Sequence, residues 1–298
     1  LRCVIPAFGF LASAGAIVTT QFVQAMLVIL YLWIRPVYLI DTWKGISIEV
    51  IQQAVEPKPM MKFFKLSLGG VVSLSEWWFW EVVCFLAGHM GVVPLCIHTI
   101  AYNLIPVFFM IPLGFSIGLS VRMGHLLAEG NVKRAKLIAK WCMGFVMLLA
   151  IMIALAVFYF QGQIVALFTS DDEVIEGCRQ IWPKTCIYIT MNFCFGINGG
   201  ILRALGMQWR MAFLIFAVLW CAALPTLVYV LVIRQGGVNA IWTCLPLFYL
   251  VLNGLLIYRY VTADWYQVSR DIRKRRNSVA EEIVTETTLL LDGIEPPN

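Results

Sequence analysis

Glu76 and Glu81 lie inside the apolar run Leu66 to Leu86, with no lysine, arginine or histidine between them. A carboxylate at membrane depth is costly unless it is protonated, paired or facing water, so such a residue reads as functional by default. Around the pair the chain runs Ser75-Glu76-Trp77-Trp78-Phe79-Trp80-Glu81, which sets three indoles between two groups able to carry a proton. An indole face attracts a cation by about 0.5–2 kcal/mol, and the chemistry these residues suit is an aromatic-walled site for cations and protons. Five positions along a helix turn by about 140°. The two carboxylates therefore cannot both point at one ligand, and separate jobs are expected. Trp80, four residues after Glu76, shares its face, whereas Trp77 and Trp78 precede Glu81 by four and three. The alternative role for Glu81 is to accept a hydrogen bond from an indole or from Asn103 and fix packing.

The remainder of the chain sets the stage for this pair. Of its 298 residues 61% are hydrophobic and 13% charged, with a mean hydropathy of +0.83; soluble domains are nearer about 45–50% apolar. A span needs roughly 20 mostly apolar residues, and seven segments qualify, at about 8–33, 66–88, 95–121, 138–160, 185–202, 211–233 and 240–258. The expected fold class is an all-α polytopic membrane protein with seven transmembrane helices.

Orientation follows from the lysines and arginines. One set of loops holds Arg35, Lys44, Lys58, Lys62 and Lys65, then Arg122, Lys133, Arg134, Lys136 and Lys140, then Arg203 and Arg210, then Arg259 and the run Arg270 to Arg276. The opposite set holds only Arg2, Arg179, Lys184 and Arg234. On that pattern the first segment enters from the exoplasmic side and the C-terminus is cytosolic. The net charge of +5 is then an orientation signal, and no nucleic-acid partner is expected. Asp171, Asp172, Glu173 and Glu176 read as a solvated exoplasmic loop that could attract cations.

Most of the nine cysteines fall within spans, where they act as small hydrophobes. No CxxC or Cys/His spacing occurs and His89, His98 and His125 are scattered, so neither a metal nor a cofactor is expected. Without a Ser/His, Cys/His or paired-Asp set at membrane depth, an embedded enzyme is disfavoured.

The third span carries Pro106 and Pro112 followed by Gly114 and Gly118, and a kink or local unwinding is expected there because proline removes a helical hydrogen bond. Such breaks are tolerated in lipid only against protein or a water-filled cavity, and they mark transporter sites. Asn103 reads as the main buried amide of this helix. Gly196, Asn198, Gly199 and Gly200 soften the fifth span, with Asn192 upstream and Pro183 as a helix-starting proline.

Several patterns, in order, resemble the C-terminal half of the MATE (multidrug and toxic compound extrusion) transporter family, in its eukaryotic branch. Trp43-Lys-Gly45-Ile-Ser47 resembles the connector between lobes, and Glu76-Trp77-Trp78 with Glu81 resembles the seventh helix. Met110-Ile-Pro112-Leu-Gly114-Phe-Ser116, running on to Ser120-Val-Arg122-Met-Gly124, resembles the eighth, and Gly199-Gly200-Ile-Leu-Arg203-Ala-Leu-Gly206-Met-Gln208 the tenth. The resemblance implies helices six to twelve: residues 1–33 as the last helix of an N-lobe otherwise missing, 34–65 as a cytosolic connector, 66–261 as a six-helix C-lobe and 262–298 as a cytosolic disordered tail. The opening on Leu1 agrees with a fragment of a longer protein.

What the resemblance further implies is a proton-coupled antiporter, monomeric at full length, that exports organic, cationic compounds or xenobiotics by alternating access. It would sit as a multi-pass protein of the plasma membrane or a vacuolar or other endomembrane. Glu76 and Glu81 would be the coupling residues, and Trp77, Trp80, Asn103 and Asn192 would line the cavity. Animal members carry acidic residues where this chain has Asn103 and Asn192, and the usual Pro-Ser early in the seventh helix is Gly69-Gly70 here.

Two alternatives stand beside this. Sodium could replace the proton, and seven spans with an exoplasmic N-terminus also describe a seven-helix receptor, although Val121-Arg122-Met123 and Asn253-Gly254 stand where receptor motifs would be. In the tail, Glu286-Thr-Thr-Leu-Leu290-Leu291 resembles an acidic dileucine sorting signal, and the basic run before it is a juxtamembrane flank suited to anionic lipid.

Overall fold

The computed structural model describes residues 9–35, 55–73, 75–274 and 276–277. The connector motif at Trp43–Ser47 and the tail from 278 onward, with its dileucine-like run, lie outside the described residues. The chain forms two compact units, Leu1–Lys65 and Leu66–Asn298. The first contains α1 (Gly9–Ile34), in which the Thr19 and Thr20 hydroxyls donate to the carbonyls of Gly15 and Ala16, each at 2.8 Å, and so need no partner from lipid.

The second unit is a helical bundle. Its elements are the end of α2 (Pro57–Ser73), α3 (Ser75–His89), α4 (Val92–Ala128), α5 (Val132–Tyr159), the short α6 (Gln161–Ala166), α7 (Asp172–Ala204), α8 (Gln208–Ile233), α9 (Gly237–Val261) and α10 (265–274). Seven helices among the described residues are long and apolar enough to cross a membrane. α2 begins inside the stretch expected as connector.

α7 is the hub: α4, α5 and α9 all pack against it and most of its length is buried. α5 shows how one helix serves two solvents. Ala135, Ala139, Val146, Ala150 and Ala154 form its buried face, small enough for close helix approach. Leu137, Trp141, Phe145, Leu148, Met152 and Leu155 form the exposed stripe a bilayer covers.

Four expectations change. The acidic cluster is a helix start rather than a loop: Asp171 Oδ1 accepts from Glu173 N at 2.9 Å and Val174 N at 3.4 Å, and Asp172 and Glu173 occupy the first turn, where the helix dipole favours negative charge. Pro183 consequently lies well inside α7. The third span is not unwound; α4 runs 37 residues through Pro106, Pro112 and Gly114 as one helix. Nor is the tail disordered from 262. α10 is helical, Trp265 is buried, and Ser269 Oγ donates to Leu127 O at 2.6 Å.

The irregular winding falls elsewhere, in α8, where Phe216–Ala223 and Tyr229–Ile233 are π-helical. The buried residues Met211, Ile215, Leu219, Ala223, Leu227 and Leu231 recur every four positions along it.

Candidate functional site

α3 brings Glu76 into the bundle and turns Glu81 out of it. Glu76 is 6% exposed, while Glu81 is exposed, as their spacing dictates for a helix with one buried face. That face is built from Ser75, Glu76, Phe79, Trp80, Val83 and Ala87. Across from it, α9 presents Tyr249, whose hydroxyl donates to Glu76 Oε1 at 2.5 Å. The Trp80 indole N–H donates to the Tyr249 oxygen at 3.3 Å. Since an indole N–H can only donate, it occupies a Tyr249 lone pair and leaves the phenolic proton for the carboxylate. The result is a directed chain from Trp80 to Tyr249 to Glu76.

Aromatic rings shield this chain. Tyr188 meets Tyr249 edge-on at 4.7 Å and Trp80 at 5.1 Å, and Tyr102 stacks on Trp80 at 5.3 Å. His98, fully buried, lies parallel to Tyr102 at 6.1 Å. No salt bridge neutralises Glu76 among the described residues, where the one ion pair recorded is Arg179 with Glu176 at the surface.

Beside Glu76 is a small cavity of ≈ 10 Å³, room for about one water. Glu76, Trp77, Trp80, Tyr102, Pro106 and Asn192 are among its lining. Asn192, on α7, is 3% exposed, and its Oδ1 has no hydrogen-bond partner among the described residues. An unpaired buried amide oxygen costs about 1–3 kcal/mol, and here it faces the same space as an unneutralised carboxylate. Of the side chains that line it, those of Glu76, Asn192 and Tyr102 carry oxygen.

The structure thus gathers Glu76, Trp77, Trp80, Asn192 and Pro106. It does not gather Glu81, Asn103, Pro112 or Gly114. Asn103 is exposed, because the buried residues of α4, Ile97, Ala101, Leu104, Ile105, Pro112 and Ser116 among them, share the opposite side of the helix. Pro112 packs at the α7 seam, where a Cβ added to Gly196 would stand 3.0 Å from the Pro112 Cβ.

Sequence reading missed Tyr249 and its support. Asn253, one turn on, donates to Tyr249 O at 2.9 Å and Met191 O at 3.0 Å, and accepts from Asn198 Nδ2 at 2.8 Å. The available signal was a tyrosine and an asparagine four apart in the apolar span Gly237–Val261.

The quoted motifs acquire physical roles. Arg203 Nη2 donates to Ser116 Oγ at 2.6 Å, and Ser116 Oγ donates to Gly196 O at 2.7 Å. A Cβ on Gly200 would fall 2.6 Å from Ser116 O, so only glycine lets α4 and α7 approach there. Gly69, in place of the usual proline, lies under the Trp209 ring, 2.9 Å from where its Cβ would be.

The comparisons with known proteins agree with this architecture. A family model, MatE, matches residues 70–228. An uncharacterized transporter from Schizosaccharomyces pombe is 28% identical over 273 residues, covering 91% of this chain and 50% of that one. Multidrug and toxin extrusion protein 1 of Oryctolagus cuniculus is 30% identical over 235 residues, covering 78% and 40%. The crystal structure of the eukaryotic MATE transporter AtDTX14 shares the fold with a TM-score of 0.70 over 80% of this chain and 54% of that chain, at 20% identity. The chain spans half the length of these curated relatives or less. The matched region takes in Glu76, Ser116, Asn192 and Arg203 and stops short of Tyr249. With more than half of its residues inside that match, this seven-span chain belongs to the MatE family.

Proposed function

We propose that the chain supplies one lobe of a secondary active antiporter that exports organic cations or xenobiotics in exchange for protons by alternating access, with Glu76 as the coupling carboxylate. The observation that carries this reading is a buried carboxylate with no counter-charge among the described residues, held by the Tyr249 hydroxyl beside a cavity also lined by Asn192, whose oxygen has no partner among them. The names of the multidrug and toxin extrusion relatives support the substrate class. Membership of the MatE family replaces the receptor reading.

In this mechanism charged Glu76, walled by Trp77 and Trp80, attracts a cation. A proton arriving from the exoplasmic side cancels the attraction and releases it. Loss of that proton on the cytosolic side restores affinity. Tyr249 stays hydrogen-bonded in either state, since its oxygen can accept from a protonated Glu76 as readily as its hydroxyl donates to a charged one. Glu81 and Asn103, both exposed, meet ligand from outside the bundle. The protein works as a monomer in the plasma membrane or an endomembrane, with the basic ends of its spans and its C-terminus cytosolic.

Efflux of a fluorescent organic cation from vesicles under an imposed pH gradient tests the reading. Glu76→Gln is expected to abolish the pH-driven component at normal surface expression; wild-type rate and pH response in that variant would remove the proposal. Replacing sodium at a fixed pH gradient is expected to change nothing, and loss of efflux there would assign the coupling to sodium.

A further inference from the structure

Away from Glu76 a groove of ≈ 340 Å³ opens between α5, α7, α9 and the start of α10, and it shares no lining residue with the Glu76 cavity. Lys136, Ala139, Lys140 and Met143, in which Lys136 stands three and four residues before Ala139 and Lys140 and Met143 four and three after them, give it one helix face. Ile201, Tyr260 and Trp265 supply the others. Polarity is graded along this wall. The two ammonium groups are exposed at the mouth, while Met143 is half-buried and Ile201 is 1% exposed at the back.

The mouth is held in shape. Lys136 Nζ stands 5.6 Å from the Trp265 ring centre and 5.9 Å from that of Tyr266. Trp265 Nε1 donates to Tyr260 O at 2.7 Å, and Ser269 ties α10 to the end of α4. Neither lysine has an acidic ion-pair partner among the described residues. Asp264, the nearest acid along the chain to Trp265, commits its Oδ1 to capping α10, accepting from Tyr266 N at 2.9 Å and Gln267 N at 3.0 Å.

We propose that this groove binds one anionic glycerophospholipid from the leaflet at the basic ends of the spans, its phosphate on Lys136 and Lys140 and an acyl chain along Met143 and Ile201. A free phosphate would satisfy the lysines but leave the apolar back wall empty. A zwitterionic lipid would fill the wall and also offer a phosphate, but its own ammonium offsets that charge, so the two lysines favour the lipid of net negative charge. Tyr260 and Trp265 lie beside the last turn of α9, the depth at which aromatic side chains meet headgroups. The lipid bridges the span helices and α10, so its binding steadies the C-terminal end of the bundle.

Native mass spectrometry of the purified, delipidated protein reloaded with phosphatidylserine or phosphatidylcholine tests this, with thermal unfolding as a second readout. One phosphatidylserine is expected to be retained about tenfold more than phosphatidylcholine and to raise Tm, in line with the attraction two lysines exert on an anionic headgroup. Lys136→Gln with Lys140→Gln should erase that preference, and Met143→Trp should lower retention of both lipids by filling the groove. Lys133→Gln with Arg134→Gln, which removes equal charge outside the groove, should keep the preference. Equal retention of the two lipids, an equal loss in the Lys133/Arg134 variant, or displacement by inorganic phosphate at equal concentration would each overturn the assignment.

Discussion

The seam between α4 and α7 and the junction of α3 with α9 use the same means, a charged or polar side chain reaching across to a hydroxyl deep in a helical bundle. At the seam, Arg203 donates to Ser116, Ser116 donates to Gly196, and Gly200 leaves no space between backbones. At the junction, Trp80 donates to Tyr249 and Tyr249 to Glu76, but the chain ends on a carboxylate that has no counter-charge among the described residues, next to a void and an amide oxygen that likewise has no partner among them. The first satisfies the buried Ser116 hydroxyl as both acceptor and donor and reads as a lock. The second keeps capacity in reserve, which is what a site that gains and loses a ligand requires. Both contain residues of recognisable motifs, so a motif alone does not separate scaffold from site.

Substitutions can break this contrast in decreasing order of effect. Glu76→Gln should remove pH-driven efflux while leaving folding intact, and it opposes Gly200→Val, which should do the reverse. With a Cβ already 2.6 Å from Ser116 O, valine must force α4 from α7. Overpacking costs about 1–3 kcal/mol or more, seen as lost folded yield in size-exclusion chromatography. Tyr249→Phe leaves Trp80 N–H without its acceptor and Glu76 without its donor. Its efflux should fall and respond differently to pH at a stability cost of about 1–3 kcal/mol, and unchanged efflux would detach Tyr249 from the site. Ser116→Ala should cost a similar amount of stability, since it strands the Arg203 donor, yet leave efflux per folded molecule unchanged. The smallest change belongs to Glu81→Gln: an exposed substitution is expected within about 0.5 kcal/mol of wild-type stability, with a milder transport defect than Glu76→Gln.

The spans could be read from composition because bilayer thickness fixes their length, and Glu76 because a buried carboxylate is expensive wherever it falls. Helix ends were less legible. α4 and α7, at 37 and 33 residues, are longer than a span requires, and Asp171 and its neighbours look alike in a loop and at a helix start until the cap is seen. Asn103 was misplaced because α4 is apolar nearly all round, which leaves no stripe from which to judge its buried side. Tyr249 stayed hidden for another reason: its partner lies 173 residues away, and a tyrosine in an apolar span looks the same whether it faces lipid, headgroups or a carboxylate.

The wide winding of α8 carries its own consequence for insertions and deletions. Four residues of ordinary α-helix overshoot a full turn by about 40°, so five such steps, from Met211 to Leu231, would carry the last residue to the far side of the helix. The π-helical segments absorb that drift and keep all six residues inward. Deleting one residue between 216 and 223 would relax the winding and swing everything beyond it by about 100°, trading Leu227 and Leu231 for exposed neighbours such as Val228 and Val232. The length of this segment is thus constrained more tightly than its sequence: one hydrophobic residue can replace another there, but none can be added or removed without turning half a span inside out.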